Sequence, residues 1–122
     1  YDEVAACRGG YRTQYICNTT KKLGDCGLSR DYLRGLDTDA ARKELLKLSG
    51  IGPKVADCVL LYSGIKFDVF PTDVWIKRVM ERLYLKREAT HKEIQEFAFS
   101  FFGKYSGYAQ QYLFYYAREN EI

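Results

Sequence analysis

The 122 residues include only one tryptophan, one methionine and two prolines, and no apolar stretch approaches the length of a membrane span. No basic and then apolar leader precedes a small-residue cleavage site, so the expectation is an intracellular protein, cytoplasmic and nucleoid-associated in a prokaryote. The four cysteines, Cys7, Cys17, Cys26 and Cys58, are spaced by nine, nine and thirty-two residues. That spacing fits neither a zinc site nor a compact iron–sulfur run, and reduced thiols are expected. There is little excess charge: 19 basic residues against 16 acidic leave a net +3, which permits a nucleic-acid partner without demanding one. Internal repeats, low-complexity runs and long linkers are also missing, so residues 1–122 are read as one segment. The chain opens on Tyr1 rather than Met, which suggests a portion of something longer.

What is present is a packed, aromatic chain. Apolar residues make up 47% and aromatic residues 16%, including eleven tyrosines. Tyrosine can bury its ring and leave the hydroxyl for water, phosphate or a base. The periodicity predicts an all-α fold. Residues 11–22 lack Pro and Gly and suit one helix; Ser29 to Leu36 suits a shorter one. Thr38 is the expected N-cap of a helix from Asp39 to Leu48, with Ala41, Leu45 and Leu48 on one face. Ser49-Gly50-Ile51-Gly52 is a tight turn, and Pro53 opens the next helix, which Gly64 ends. That helix is apolar on most faces and is expected to be buried. Residues 65–72 are extended. Asp73 caps a helix to about Tyr84, Thr90 and Glu93 form a capping box, and a last helix starts at Ser106 or Gly107.

The turn carries the chemistry. Two glycines around Ile51 let the backbone bend sharply and approach another molecule, and the N–H groups at Gly50, Gly52 and the following helix start suit a phosphate. Ile51 is expected to plug the hairpin into the core. Lys54 follows in the first helical turn, where the helix dipole and partial desolvation both ease loss of its proton and favour an amine nucleophile. The plainer alternative is a lysine that snorkels to solvent and touches phosphate. Asp73 sits where an N-cap belongs; it can also hold a fixed negative charge beside a developing cation.

Leu48 to Cys58 (LSGIGPKVADC) and Phe70 to Trp75 (FPTDVW) resemble the helix–hairpin–helix DNA glycosylases, in which a Gly/Pro-rich hairpin precedes an essential Asp. The nineteen-residue interval from Lys54 to Asp73 matches that family. The run Lys54 to Cys58, Gly10-Tyr11-Arg12 and the Gly107-x-Ala109-Gln110-x-x-Leu113-Phe114 pattern are similar to its 8-oxoguanine glycosylase/lyase branch. The resemblance spans about residues 9 to 116. It implies base flipping, attack by the Lys54 amine at the sugar C1′, and support of the cationic transition state by Asp73. It implies that Cys58 and Phe114 sandwich the flipped base while Gln110 bonds its Watson–Crick edge. Gln110 and Phe114 are four apart and share a helical face, as do Lys54 and Cys58. For Cys58 a small buried apolar residue is nearly as good a reading, and for Phe114 taken alone core packing is the better one.

The resemblance further implies damaged double-stranded DNA as partner, a monomer, no membrane and no required cofactor. It allows a monovalent cation at the hairpin on the backbone carbonyls of Leu46, Leu48 and Ile51. Two positions depart from the pattern. Ser49 replaces a common Pro, and Trp75 replaces a phosphate-contacting His of animal members, pointing to a bacterial or archaeal sub-branch. Two rivals remain open: another lesion on the same scaffold, an oxidised pyrimidine or an alkylated base, and a non-catalytic helix–hairpin–helix module that only grips phosphates.

Overall fold

The computed structural model describes residues 1–122, apart from the side chain of Cys26. Among the described residues all regular structure is helical. The helices are α1 (Asp2–Ala5), α2 (Arg12–Cys26), α3 (Arg30–Gly35), α4 (Thr38–Leu46), α5 (Pro53–Tyr62), α6 (Val74–Val79), α7 (His91–Phe102) and α8 (Ser106–Glu119). A π-helical stretch, Met80–Leu85, continues α6, and a 3₁₀ turn, Gly103–Tyr105, joins α7 to α8. The chain packs as two compact units, residues 1–56 and 57–122, and the division falls within α5.

Local chemistry sets the helix ends. Asp73 caps α6 as expected, its carboxylate accepting from the Ile76 N–H at 2.8 Å. Thr90 and Glu93 form the reciprocal box at the start of α7, with bonds of 3.2 Å and 2.7 Å. Gly64 and Gly103 end α5 and α7 with positive φ of 72° and 55°. The start of α4 differs by one residue: Asp37, rather than Thr38, is the cap, and its carboxylate accepts from the Ala40 N–H at 2.7 Å. A carboxylate one position earlier outcompetes the hydroxyl because it still reaches the third N–H and carries charge suited to the helix N-terminus. The same helix stops at Leu46, two residues short of the expected end.

In the unit of residues 1–56, Leu33, Ala41, Leu45 and Leu48 are buried, so the α4 face read from the sequence is the packed face. Ile51, expected to plug the hairpin, is only half-buried, whereas Leu48 just before the turn is buried. In the unit of residues 57–122, Phe70, Ile76, Met80, Ala89, Ile94 and Ala98 form one cluster, with Phe97, Phe102, Leu113 and Phe114 against it. Burying side chains of this size contributes about 1.5–3 kcal/mol each, which holds the connection 65–72 between α6, α7 and α8. Helix α5 is less buried than its composition suggested. Ala56, Leu60 and Leu61 are covered while Val55 is exposed.

Candidate active site

The hairpin is built on α2. Gly50 has φ of +78°, and a Cβ there would lie 2.5 Å from Cγ of Tyr15, so the bare glycine is needed for both conformation and contact. The Thr19 hydroxyl donates to the Ser49 carbonyl at 3.1 Å, and the Lys22 ammonium donates to the Lys47 carbonyl at 2.9 Å. These bonds fix the turn from one side. A groove of about 540 Å³ on this flank is lined by Tyr11, Tyr15, Thr19, Gly50, Ile51 and Val55, among others. Its lining holds neither carboxylate nor lysine; its charged residue is Arg12.

Beyond the turn, the Gly52 carbonyl accepts the first helical bond of α5, from Ala56 at 2.9 Å. Pro53 at the first position has no N–H to lose. Helix geometry leaves the N–H groups of Lys54 and Val55 without an intrahelical acceptor, a donor pair suited to an anion. Lys54 is exposed, so the expected desolvation of its amine is not met: its first-turn position faces solvent rather than the core. Cys58, one turn further along α5, is half-buried, and Cys7, Cys17 and Cys58 are all outside disulfides. The fourth cysteine side chain, that of Cys26, lies outside the described residues.

The other expected residues gather in the unit of residues 57–122. Asp73 is half-buried, and its cap bond uses Oδ1, so the second carboxylate oxygen is not needed for capping. Gln110 is buried, and its amide nitrogen donates to the Pro71 carbonyl at 3.0 Å. Its amide oxygen accepts from Gln111 at 2.6 Å, and Gln111 also donates to the Tyr62 hydroxyl at 3.1 Å. One turn on, Phe114 is half-buried against the cluster, with the Arg118 guanidinium 5.8 Å from its ring centre. Gly107 explains how α8 comes so close to the 65–72 connection. Its N–H donates to the Phe67 carbonyl at 2.8 Å, and a Cβ would meet that oxygen at 2.7 Å. The structure therefore brings Asp73, Gln110 and Phe114 onto one packed support.

Comparison with known proteins matches residues 34–62 to the helix-hairpin-helix motif. Over its whole length the chain is 41% identical to a Methanothermobacter thermautotrophicus protein named "Probable N-glycosylase/DNA lyase", of which it covers 39%. It aligns with the solved structure of MBOgg1 in complex with a low affinity DNA ligand, with a TM-score of 0.92 and 50% identity over 99% of this chain and 42% of that one. These matches liken the chain to the helix–hairpin–helix DNA glycosylase superfamily.

Within that superfamily its likeness is to the 8-oxoguanine glycosylase/lyase branch. The Clostridium acetobutylicum 8-oxoguanine glycosylase/lyase, solved with double-stranded DNA containing cytosine opposite 8-oxoguanine, aligns with a TM-score of 0.89 and 42% identity. That alignment takes in 97% of this chain and 41% of the other. The chain thus spans about two fifths of the length of the relatives it matches. Among the described residues no helix is long and apolar enough to cross a membrane.

Sequence reasoning missed three features here. Tyr15 shapes the hairpin from a distant helix, and Gln95 of α7 reaches the residues just before Asp73. Arg78 places its guanidinium 5.8 Å from the Trp75 ring centre, so the neutral indole has a cation beside it. The i, i+3 spacing of Trp75 and Arg78 was the available signal.

Proposed function

We infer that the protein carrying this chain excises 8-oxoguanine from double-stranded DNA and then cleaves the resulting abasic strand. The observation that carries the reading is the pairing of roles along the chain: Lys54 stands exposed in the first turn after the glycine hairpin, and Asp73 is held at an N-cap nineteen residues later. Both features lie within a chain that aligns almost entirely with an 8-oxoguanine glycosylase/lyase.

In this reading, phosphates dock on the hairpin N–H groups near Gly50 and Gly52, and the damaged nucleotide is flipped out of the stack. The neutral Lys54 amine bonds to C1′ as the glycosidic C1′–N9 bond breaks, and the base departs with that electron pair and takes up a proton. The carboxylate of Asp73, oriented by its cap bond, stabilises positive charge on the sugar. Loss of the nitrogen proton and ring opening give the Schiff base. Removal of a C2′ proton then expels the 3′-phosphate. Phe114 and Cys58 flank the base and Gln110 bonds its edge; to do so, Gln110 exchanges its present amide partners, Pro71 and Gln111, for the base. The working site is a monomer on chromosomal DNA in the cytoplasm.

We propose that the hairpin carbonyls hold a monovalent cation. Leu48 accepts only a long 3.3 Å bond from the Ile51 N–H and retains a second lone pair, while Lys22 and Thr19 occupy the neighbouring Lys47 and Ser49 oxygens. Leu46, Leu48 and Ile51 would hold such an ion through carbonyl oxygens, and it would supply positive charge near a bound phosphate. No other cofactor enters the reading.

Borohydride reduction during turnover on duplexes carrying 8-oxoguanine, thymine glycol or an alkylated purine tests the proposal. Covalent trapping should be strongest on 8-oxoguanine. Preference for thymine glycol would leave the glycosylase family standing and remove the substrate assignment.

A further inference from the structure

Three consecutive residues lead into Asp73, and the polar groups of Phe70 and Thr72 are tied down from a helix that follows much later in the chain. The Gln95 amide nitrogen donates to the Phe70 carbonyl at 2.6 Å and to the Thr72 hydroxyl at 2.9 Å. The Thr72 hydroxyl in turn donates to the Phe70 carbonyl at 3.0 Å. These bonds form a closed ring that uses both hydrogens of one amide nitrogen, both lone pairs of one carbonyl and the donor and one acceptor site of one hydroxyl. Within the ring only a nitrogen facing the carbonyl satisfies it, which fixes the amide's orientation. Phe70 and Pro71 are themselves buried, and the Pro71 carbonyl takes the bond from Gln110.

The cap bond to Ile76 sets the carboxylate relative to α6, but it does not fix the path by which the chain enters the helix. Asp73 is extended, with φ of −99° and ψ of −173°, so its position depends on the residue immediately before it. We propose that Gln95 is a positioning residue for the glycosylase reaction, acting through Thr72 and the Phe70 carbonyl to hold the Asp73 carboxylate where charge develops. Gln95 touches neither substrate nor Lys54 in this account. The inference rests on the proposed role of Asp73 and adds to it the element that keeps it in place.

The test is a double-mutant cycle in the intact protein: the parent, Gln95→Leu, Asp73→Asn and the pair, measured by single-turnover excision of 8-oxoguanine, lesion-duplex affinity and thermal melting. Asn can still accept the Ile76 bond, so the second substitution removes charge and leaves the cap. Gln95→Leu should slow excision by about 10- to 100-fold, as expected for a displaced catalytic group, with affinity nearly unchanged. In the Asp73→Asn background the same substitution should change excision by less than about twofold, because the group it positions is gone. A general structural role would multiply in both backgrounds, and that result, or parental excision by Gln95→Leu, overturns the inference. If Gln95→Leu does not fold, Thr72→Val breaks the same ring and carries the same expectations, and Thr72→Ser should restore the rate. Parental excision by Asp73→Asn would sink the role of Asp73 and this inference together. A slow Asp73→Asn beside an unimpaired Gln95→Leu would sink the inference alone.

Discussion

Gln110 donates its side-chain amide to the carbonyl oxygen of Pro71 at 3.0 Å, joining α8 to the connection that delivers Asp73. The proposed function gives the same residue a second task, contact with a flipped base. Gln110→Ala should retain binding to undamaged duplex, which rests on phosphate contacts, and lose excision. It should also lower stability by about 0.5–1.5 kcal/mol, the net worth of one hydrogen bond. Excision kinetics and chemical denaturation read the two effects separately; unchanged excision would confine Gln110 to the supporting task.

Asp73 likewise combines a cap with a charge. Asp73→Ala removes both and should cost about 0.5–2 kcal/mol of stability. Asp73→Asn should keep most of that stability while slowing base excision by on the order of 10²-fold. Parental excision by Asp73→Asn would leave capping as the residue's whole role.

Phe114 leans on the core and presents a ring suited to a base. Stacking on an aromatic ring is worth about 1–3 kcal/mol, so Phe114→Ala should weaken capture of the flipped base by roughly 10- to 100-fold. Titration of an 8-oxoguanine duplex measures this. An unchanged affinity would make Phe114 a packing residue only.

The capping box gives a pH signature. The Thr90 backbone N–H, followed by the Arg87 side chain, holds the Glu93 carboxyl at about 2, below its ordinary 4.5. A lowered folded value means that this stabilisation is complete above about 4.5 and is lost as the pH falls towards 2. Glu93→Gln should flatten that part of the acid-unfolding profile. A profile identical to the parent's in that window would contradict the assignment.

Much of this was legible because it is local. Asp73, Thr90 and Glu93 each act on N–H groups three residues away, and Gly64 and Gly103 end helices by their own backbone freedom. The Asp37-for-Thr38 cap shows the limit of that reading, since two capping residue types stood side by side. Exposure of Val55 was not legible, because a short apolar helix does not say which of its faces is covered; for Lys54 the solvent-reaching alternative is the one that holds. The π-helical bonding of Met80–Leu85 was hidden too, as side-chain spacing over six residues does not distinguish ladders of different pitch. Gln95 left a faint trace: it shares a face of α7 with buried Ala98 and half-buried Phe102, where a polar group calls for a partner. Its partners lie 25 and 23 residues away, and only the fold names them.

The central claim is that Lys54 is the nucleophile. The most direct measurement is borohydride trapping on a duplex containing 8-oxoguanine, with the parent protein and Lys54→Gln side by side at matched DNA occupancy. The account predicts a covalent protein–DNA species with the parent and none with Lys54→Gln, while both bind the duplex with similar affinity. Undiminished trapping by Lys54→Gln would contradict it, because another amine would then be forming the bond to C1′.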